Sequence, residues 1–282
     1  MNNRDVLHSR LFKEKWVGTA EMSVNVEAKR IDLLTGTRRR IVEPVAIEAP
    51  INIYLNDRYL ITLLATPQLQ KELALGWLFD EGVLQSPDEI RSVAVNVNNI
   101  QVETKEPLQE ERLRVVGVTR ILTTACGLSA RKFLKVIGEA VKASVSSDYK
   151  AKAGDIIRML QKLEDSSELF KQTGGTHASM LFDDGELVAF AEDISRHNAI
   201  DKAIGIAFLQ KADFSRCVLV SSGRQPADMV LKAAKMGIPI LASKASPIRS
   251  GIIAAEKTGV TLVCFVREHR MNVYTHPDRI LA

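Results

Sequence analysis

The last third of the chain repeats one unit in a way that admits few folds. Residues 217–220 form a short apolar run, followed by Ser221-Ser-Gly-Arg224 and a helical stretch over 226–235 that stops at Gly237. Residues 238–242 form a second run, followed by Ser243-Lys-Ala-Ser-Pro247 and a helical stretch over 248–257 that stops at Gly259. Residues 260–266 form a third, followed by Arg267-Glu-His-Arg270. Strand, helix, strand, helix, strand at this spacing predicts a parallel sheet with right-handed crossovers.

Such a sheet also predicts where a ligand sits, because open α/β sheets bind outside the carboxyl ends of their strands. All three post-strand segments are polar and each carries a cation. The charge balance agrees: the chain is +4 overall, and residues 221–282 hold nine Lys/Arg against four Asp/Glu, so the whole excess lies there. One reading is solvated helix faces. The other is an anion site, in which Arg224, Lys244, Arg267 and Arg270 give charge-assisted hydrogen bonds beside helix N-termini. Three such loops on one edge favour a phosphorylated ligand such as a nucleotide. There is no P-loop and no Gly-x-Gly-x-x-Gly. Nucleic acid is a poorer fit, since aromatics are only 5% and no basic run is interleaved with rings.

Upstream, the first 120 or so residues are strand-rich. Residues 22–26 and 51–55 alternate, and Asn56-Asp57 supplies a turn before 59–64. One helix interrupts them, from a start at Pro67 through Leu69, Leu73 and Trp77 to Gly82. Residues 92–118 return to an extended pattern. In the middle, Phe133, Leu134, Ile137 and Val141 mark one amphipathic face, and Ile156, Ile157, Leu160 and Leu163 another. A hairpin is predicted over 180–190 around Asp183-Asp184-Gly185. A helix capped by Ser195 follows, with Ile200, Ala203, Ile204, Ala207 and Phe208 on its stripe. The chain thus reads as α/β, α+β overall, with a strand-rich unit over 1–122, a cysteine-bearing loop over 123–130 and a layered unit over 131–282. Ordinary globular composition, no apolar run of membrane-span length and no signal-peptide pattern at the start make a cytoplasmic protein without membrane contact the default.

Three cysteines far apart, with no Cys-x-x-Cys, exclude a disulfide framework and leave no metal site expected. Cys217 and Cys264 fall inside apolar strands and read as core. Cys126 lies in Thr123-Thr-Ala-Cys-Gly-Leu-Ser129, between an extended and a helical segment, as either a reactive thiol or a small buried hydrophobe. His177, in Thr173-Gly-Gly-Thr-His177, and His197, in Glu192-Asp-Ile-Ser-Arg-His-Asn198, sit among small and polar residues. Either could serve a Cys126 dyad or simply be hydrogen-bonded. Asp193, Arg196, Asn198 and Asp201 could instead form a polar network holding the hairpin.

At these residues the sequence resembles the FdhD family of formate dehydrogenase accessory sulfurtransferases. The resemblance rests on Glu48-Ala-Pro50, Asn56, Thr66-Pro67, Glu72-Leu-Ala-Leu-Gly76, Glu81-Gly82, Cys126-Gly127 and Thr173-Gly-Gly-Thr-His-Ala178. Its most specific stretch is Glu192-Asp-Ile-Ser-Arg-His-Asn-Ala-Ile-Asp-Lys202. Ser222-Gly-Arg224, Gly237-Ile-Pro-Ile-Leu-Ala-Ser243, Phe265-Val-Arg267 and Arg270-Met-Asn-Val-Tyr-Thr275 complete it. The resemblance implies a C-terminal αβα unit like the cytidine deaminase fold but without its zinc signature, and a homodimer. It implies that Cys126 accepts sulfur from a cysteine desulfurase as a persulfide. That sulfur passes to a molybdenum (or tungsten) bis-molybdopterin guanine dinucleotide destined for the formate dehydrogenase catalytic subunit. The cofactor would be bound by Phe265, Val266, Arg267, Glu268, His269 and Arg270. Ser222, Gly223, Arg224, Lys244, His177 and His197 join them as candidates, and a guanine nucleotide is the expected surrogate ligand. Many members carry Cys-Gly-x-Cys, whereas Ser129 stands in the second place here. Relay between two loop sulfurs is therefore excluded, although one thiolate suffices to accept sulfane sulfur. The alternative is a chaperone that binds the molybdenum cofactor without sulfur chemistry. A deaminase is disfavoured by the missing His-x-Glu and Pro-Cys-x-x-Cys.

Overall fold

A computed structural model describes residues 21–110, 112–113 and 144–282. Cys126, Ser129 and the predicted helical face from Phe133 to Val141 lie outside the described residues.

The described residues begin with a hairpin of β1 (Ser23–Ile31) and β2 (Arg38–Ala46). A four-stranded sheet follows, from β3 (Ala49–Leu55), β4 (Arg58–Ala65), β5 (Ile90–Asn96) and β6 (Asn99–Thr104), ordered β4-β3-β6-β5. Asn56 and Asp57 both adopt positive φ (46° and 63°), as the two-residue turn between β3 and β4 requires. The extended pattern expected over 92–118 is broken at Val97 (φ 54°) and its ladder ends at Thr104. Helix α1 (Gln70–Asp80) covers this sheet. It begins three residues later than Pro67 suggested, because Leu69 at its N-cap is left-handed (φ 54°).

A short β7 (Ala151–Lys152) leads into α2 (Ala153–Ser166) and α3 (Glu168–Thr173). The expected hairpin is β8 (His177–Asp183) and β9 (Glu186–Asp193), joined through Asp184 and Gly185 at positive φ. Then come α4 (Arg196–Leu209), β10 (Cys217–Ser221), α5 (Ala227–Lys235), β11 (Ile240–Ser243), α6 (Arg249–Thr258), β12 (Thr261–Arg267), β13 (Arg270–Val273) and β14 (Ile280–Leu281). The large sheet is ordered β13-β12-β11-β10-β8-β9. Its centre, β10-β11-β12, is parallel as expected, and the β8–β9 hairpin adds to β10 antiparallel.

Alternation along the central strands fills two layers. Leu181, Leu219, Leu241 and Leu262 face a core shared with α4, α5 and α6, while Met180, Val218, Val220, Ile240 and Val263 face Ile156, Met159, Leu160 and Leu163 of α2. The result is an αβα stack. The two sheet systems meet where α1 crosses α4. Gly76 and Gly205 lie at the crossing, where an added Cβ would stand 1.8 Å from the Asp201 carbonyl oxygen and 1.9 Å from that of Glu72. Both helices are therefore buried on more than one face, with sheet on one side and helix on the other.

Candidate functional site

The carboxyl ends of β10, β11 and β12 share one edge of the large sheet, together with the start of β8 at His177 and the end of β9 at Asp193. Helices α4, α5 and α6 all begin at this edge, and none begins with a side-chain cap hydrogen bond. The expected Ser195 cap is thus not made. Instead, the Ser195 N–H donates to Asp193 Oδ1 (2.9 Å), which draws the serine into the turn after β9. An uncapped helix start leaves backbone N–H groups for an anion, although at α5 the Ala227 N–H already donates to Ser250 Oγ (3.3 Å) and the Met229 N–H to Asp228 Oδ1 (3.0 Å).

The loops after β10 and β11 brace each other. The Gly223 carbonyl accepts from Gln225 Nε2 and from Ser243 Oγ, both at 2.7 Å. Ser243 Oγ accepts from the Ala245 N–H (3.0 Å), Gln225 donates its N–H to Ser246 O (3.1 Å), and Ile248 donates to Gln225 O (3.0 Å). Ser222 is tied to β8: its Oγ accepts from the Ala178 N–H (3.0 Å) and stands 3.2 Å from His177 Nδ1.

Around Gly223 the structure gathers Ser222, Arg224, His177, His197 and one residue outside the expected set, Arg196. An added Cβ on Gly223 would lie 2.9 Å from Arg196 Cβ and 3.1 Å from its Cδ. His197 Nε2 meets Asp228 Oδ2 at 2.7 Å across the starts of α4 and α5. Burial, reinforced by the charges of Arg196, His197 and Arg224, holds His177 below the ordinary histidine range, so its imidazole is neutral at pH 7. Arg224 is exposed.

The other expected cations are deployed differently. Lys244 pairs with Glu164 at the end of α2 instead of standing free. Lys232, counted in the basic excess, is buried between Asp80 (2.7 Å) and Asp201 (2.6 Å) and contributes nothing to the edge. Arg267 Nη1 donates to the carbonyls of Lys244 (2.6 Å) and Val266 (2.8 Å), fixing the turn into β13. Phe265 breaks the β12 ladder at positive φ (53°), is 36% exposed, and donates its N–H to Ala245 O (3.1 Å). Glu268, His269 and Arg270 are exposed on the same turn, whereas the Val266 side chain is core, so only its backbone can face a ligand.

The stretch from Glu192 to Lys202 divides its labour. Asp193 accepts from the Thr66 N–H (3.0 Å), the Ser195 N–H and Asn198 Nδ2 (3.0 Å), and pairs with Lys202 Nζ at 2.7 Å. Lys202 Nζ also donates to Thr66 O (3.0 Å) and Oγ1 (2.6 Å), and Asn198 Nδ2 to Leu64 O (2.8 Å). The polar network expected of Asp193, Asn198 and Asp201 is therefore real, but it clamps α4 to the end of β4 and to α1. Glu192 accepts from the N–H groups of Leu169 and Phe170 and from Thr176 Oγ1, anchoring α3. Arg196 takes no part.

Both described cysteines are core. Cys217 and Cys264 are fully buried, and burial raises both thiols, Cys264 to about 12, so neither is a thiolate at neutral pH. Among the described residues no group of three or more His, Cys, Asp or Glu side chains is placed to hold a metal. No described helix is long and apolar enough to cross a membrane.

The sequence pattern of the FdhD/NarQ family matches residues 46–281, a span that includes every described element from β3 onward and all of this edge. The chain belongs to the FdhD/NarQ family. Among its relatives are the sulfur carrier protein FdhD of Methanothermobacter thermautotrophicus, 36% identical over 91% of this chain and 98% of the relative. The protein of the same name from Sulfolobus acidocaldarius is 37% identical over 87% of this chain and 94% of the relative. A crystal structure from Desulfotalea psychrophila, described as a formate dehydrogenase accessory protein, superposes with a TM-score of 0.76 at 31% identity, covering 93% of this chain and all of that one. In this FdhD/NarQ member, Arg196 is the edge residue that sequence reasoning misassigned. The signal available was its place at a helix start directly after a strand end, with Ile200 rather than an acid one turn on.

Proposed function

We propose that this chain is a sulfur carrier for formate dehydrogenase, working through Cys126 and the large sheet's carboxyl edge. Family membership supports the carrier role, since relatives alike over nearly their whole length are named sulfur carrier proteins. The observation that carries the binding half is the cluster of Arg196, Arg224 and neutral His177 around uncapped helix starts, which suits an anionic, phosphate-bearing molecule. In this reading the acceptor is a molybdenum or tungsten bis-molybdopterin guanine dinucleotide, taken as substrate. Its phosphates lie at the edge, and the 265–270 turn forms one wall. The αβα stack serves as a cytidine deaminase-like scaffold, in a cytoplasmic homodimer.

The sulfur step is an exchange. The Cys126 thiolate attacks the terminal sulfur of a persulfide on a cysteine desulfurase, the donor's S–S bond breaks, and the donor cysteine leaves as a thiolate. One S–S bond replaces another, so no oxidant or reductant is consumed. With Cys217 and Cys264 buried and protonated, Cys126 is the thiol left to do this. Incubating the protein with a desulfurase and cysteine should add one sulfur atom, seen by intact-mass spectrometry and removed by reductant, and Cys126→Ala should abolish the gain. A full gain in Cys126→Ala would refute the carrier role of that residue. Ser129 in place of a second loop cysteine favours one competing reading, a cofactor-binding chaperone. That reading predicts no sulfur gain in either protein and unchanged formate dehydrogenase activation by Cys126→Ala.

A further inference from the structure

Arg196 is the one charged side chain of the Glu192 to Lys202 stretch with neither a hydrogen bond nor an ion pair among the described residues. Its neighbours Asp193, His197, Asn198 and Lys202 are each hydrogen-bonded. Arg196 forms no ion pair, and its Nε is buried with nothing to donate to. A guanidinium carries five donors and no acceptor. Burying one of them, the Nε–H, without an acceptor is costly enough to call for a missing partner.

The surroundings say what kind of partner. Asp228 attracts Arg196 but its oxygens are already engaged, Oδ2 by His197 and Oδ1 by the Met229 N–H (3.0 Å). The other charges that act there, from His177's point of view, are Arg196, His197 and Arg224. The arginine stem lies across Gly223, close enough that any side chain there would push it away. A site with excess positive charge and a buried guanidinium donor left unmet, in a loop shaped around one arginine, suits a multivalent oxyanion.

We infer that Arg196 is a substrate-binding residue that grips the phosphate group over Gly223. This rests on the edge-binding reading above and adds to it a specific residue and the part of the ligand it holds. The planar fork takes two oxygens of one phosphate, which a lysine ammonium cannot reproduce.

The test titrates the full-length protein with guanosine 5′-diphosphate and, separately, inorganic pyrophosphate by calorimetry. Arg196→Gln should weaken both by about 10- to 100-fold, the range for hydrogen bonds to a charged group. Arg196→Lys should recover only part of the loss. Because Arg196 has no hydrogen bond or ion pair in the free protein, only a longer-range attraction to Asp228, the melting temperature of Arg196→Gln should stay close to wild type, which a merely structural role would not allow. Gly223→Ala, which displaces the arginine stem, should reproduce the weakening. Wild-type affinity in Arg196→Gln would overturn the inference and leave only ordered water on the guanidinium. Loss of the nucleotide with pyrophosphate binding intact would also overturn it, since the contact would then be to the nucleoside. If wild type itself binds neither ligand, the edge reading falls and takes the inference with it.

Discussion

The two ends of the Glu192 to Lys202 stretch treat charge in opposite ways. At the inner end, Lys202 is fully buried and saturated by Asp193 and Thr66, and at the adjacent position of α4 Asp201 shares Lys232 with Asp80. Burial and the Asp80 charge raise Asp201 to about 7, while Lys232 and Lys235 outweigh burial to hold Asp80 low. At the edge, Arg196 and Arg224 have no charged partner within ion-pair reach. A continuous motif thus joins two parts of the molecule at one end and keeps unspent charge at the other. The first use demands completeness, because a half-satisfied buried charge is worse than none. The second demands incompleteness, because a cation already paired has nothing left for a ligand.

The largest break in this comparison should come from Lys202→Met. It leaves the Asp193 carboxylate buried without its counter-charge, and removing one partner of a buried pair costs about 3–5 kcal/mol. Denaturant unfolding should show that loss, against no measurable change for Arg196→Gln. Equal stability of the two variants would erase the distinction between the ends.

A smaller effect should come from Gly205→Ala. In an isolated helix alanine is favoured over glycine by about 1 kcal/mol. Here the new Cβ would stand 1.9 Å from the Glu72 carbonyl oxygen, backbone that cannot rotate away. The helices must part, and overpacking of this kind costs about 1–3 kcal/mol, so the net change should be destabilising. A stabilised Gly205→Ala would mean that α1 and α4 are not in this close contact.

What was legible in the sequence follows the reach of the interactions involved. The parallel β10-β11-β12 core and the β8–β9 hairpin were readable because period, turn residues and stops are local signals. Asn56-Asp57 announced its turn for the same reason. The attachment of the hairpin to β10 was not readable, since that pairing joins residues about forty apart in sequence. Nor was the fate of Lys244, whose partner Glu164 comes from α2. The stripe expected on α1 was right for Leu73 and Trp77, but the helix is buried on its second face by α4, a partner no periodicity names. Arg196 was missed because composition cannot tell an arginine that completes a network from one that the network leaves out. That difference appears only when every donor is followed to its acceptor.

The smallest effect offers the finest resolution of the edge. His177 stands 3.2 Å from Ser222 Oγ and feels the charges of Arg196, His197 and Arg224. Burial and those charges both disfavour the imidazolium, so in the free protein its titration, followed by NMR of the ring carbons, should fall below the ordinary value near 6.5. The neutral ring therefore persists at pH 7, and charging it on acidification should work against the folded state. An anion seated over Gly223 reverses the electrostatic half of that shift without restoring water to the ring. Adding guanosine 5′-diphosphate should move the His177 titration upward but leave it short of an exposed histidine. Arg196→Gln should produce an upward shift with no ligand present, because it deletes one of the repelling charges, and the nucleotide should then add little. An unmoved His177 in the nucleotide complex would place the bound phosphate away from this cluster, toward the 265–270 turn. It would separate the two halves of the sheet edge that sequence reasoning joined.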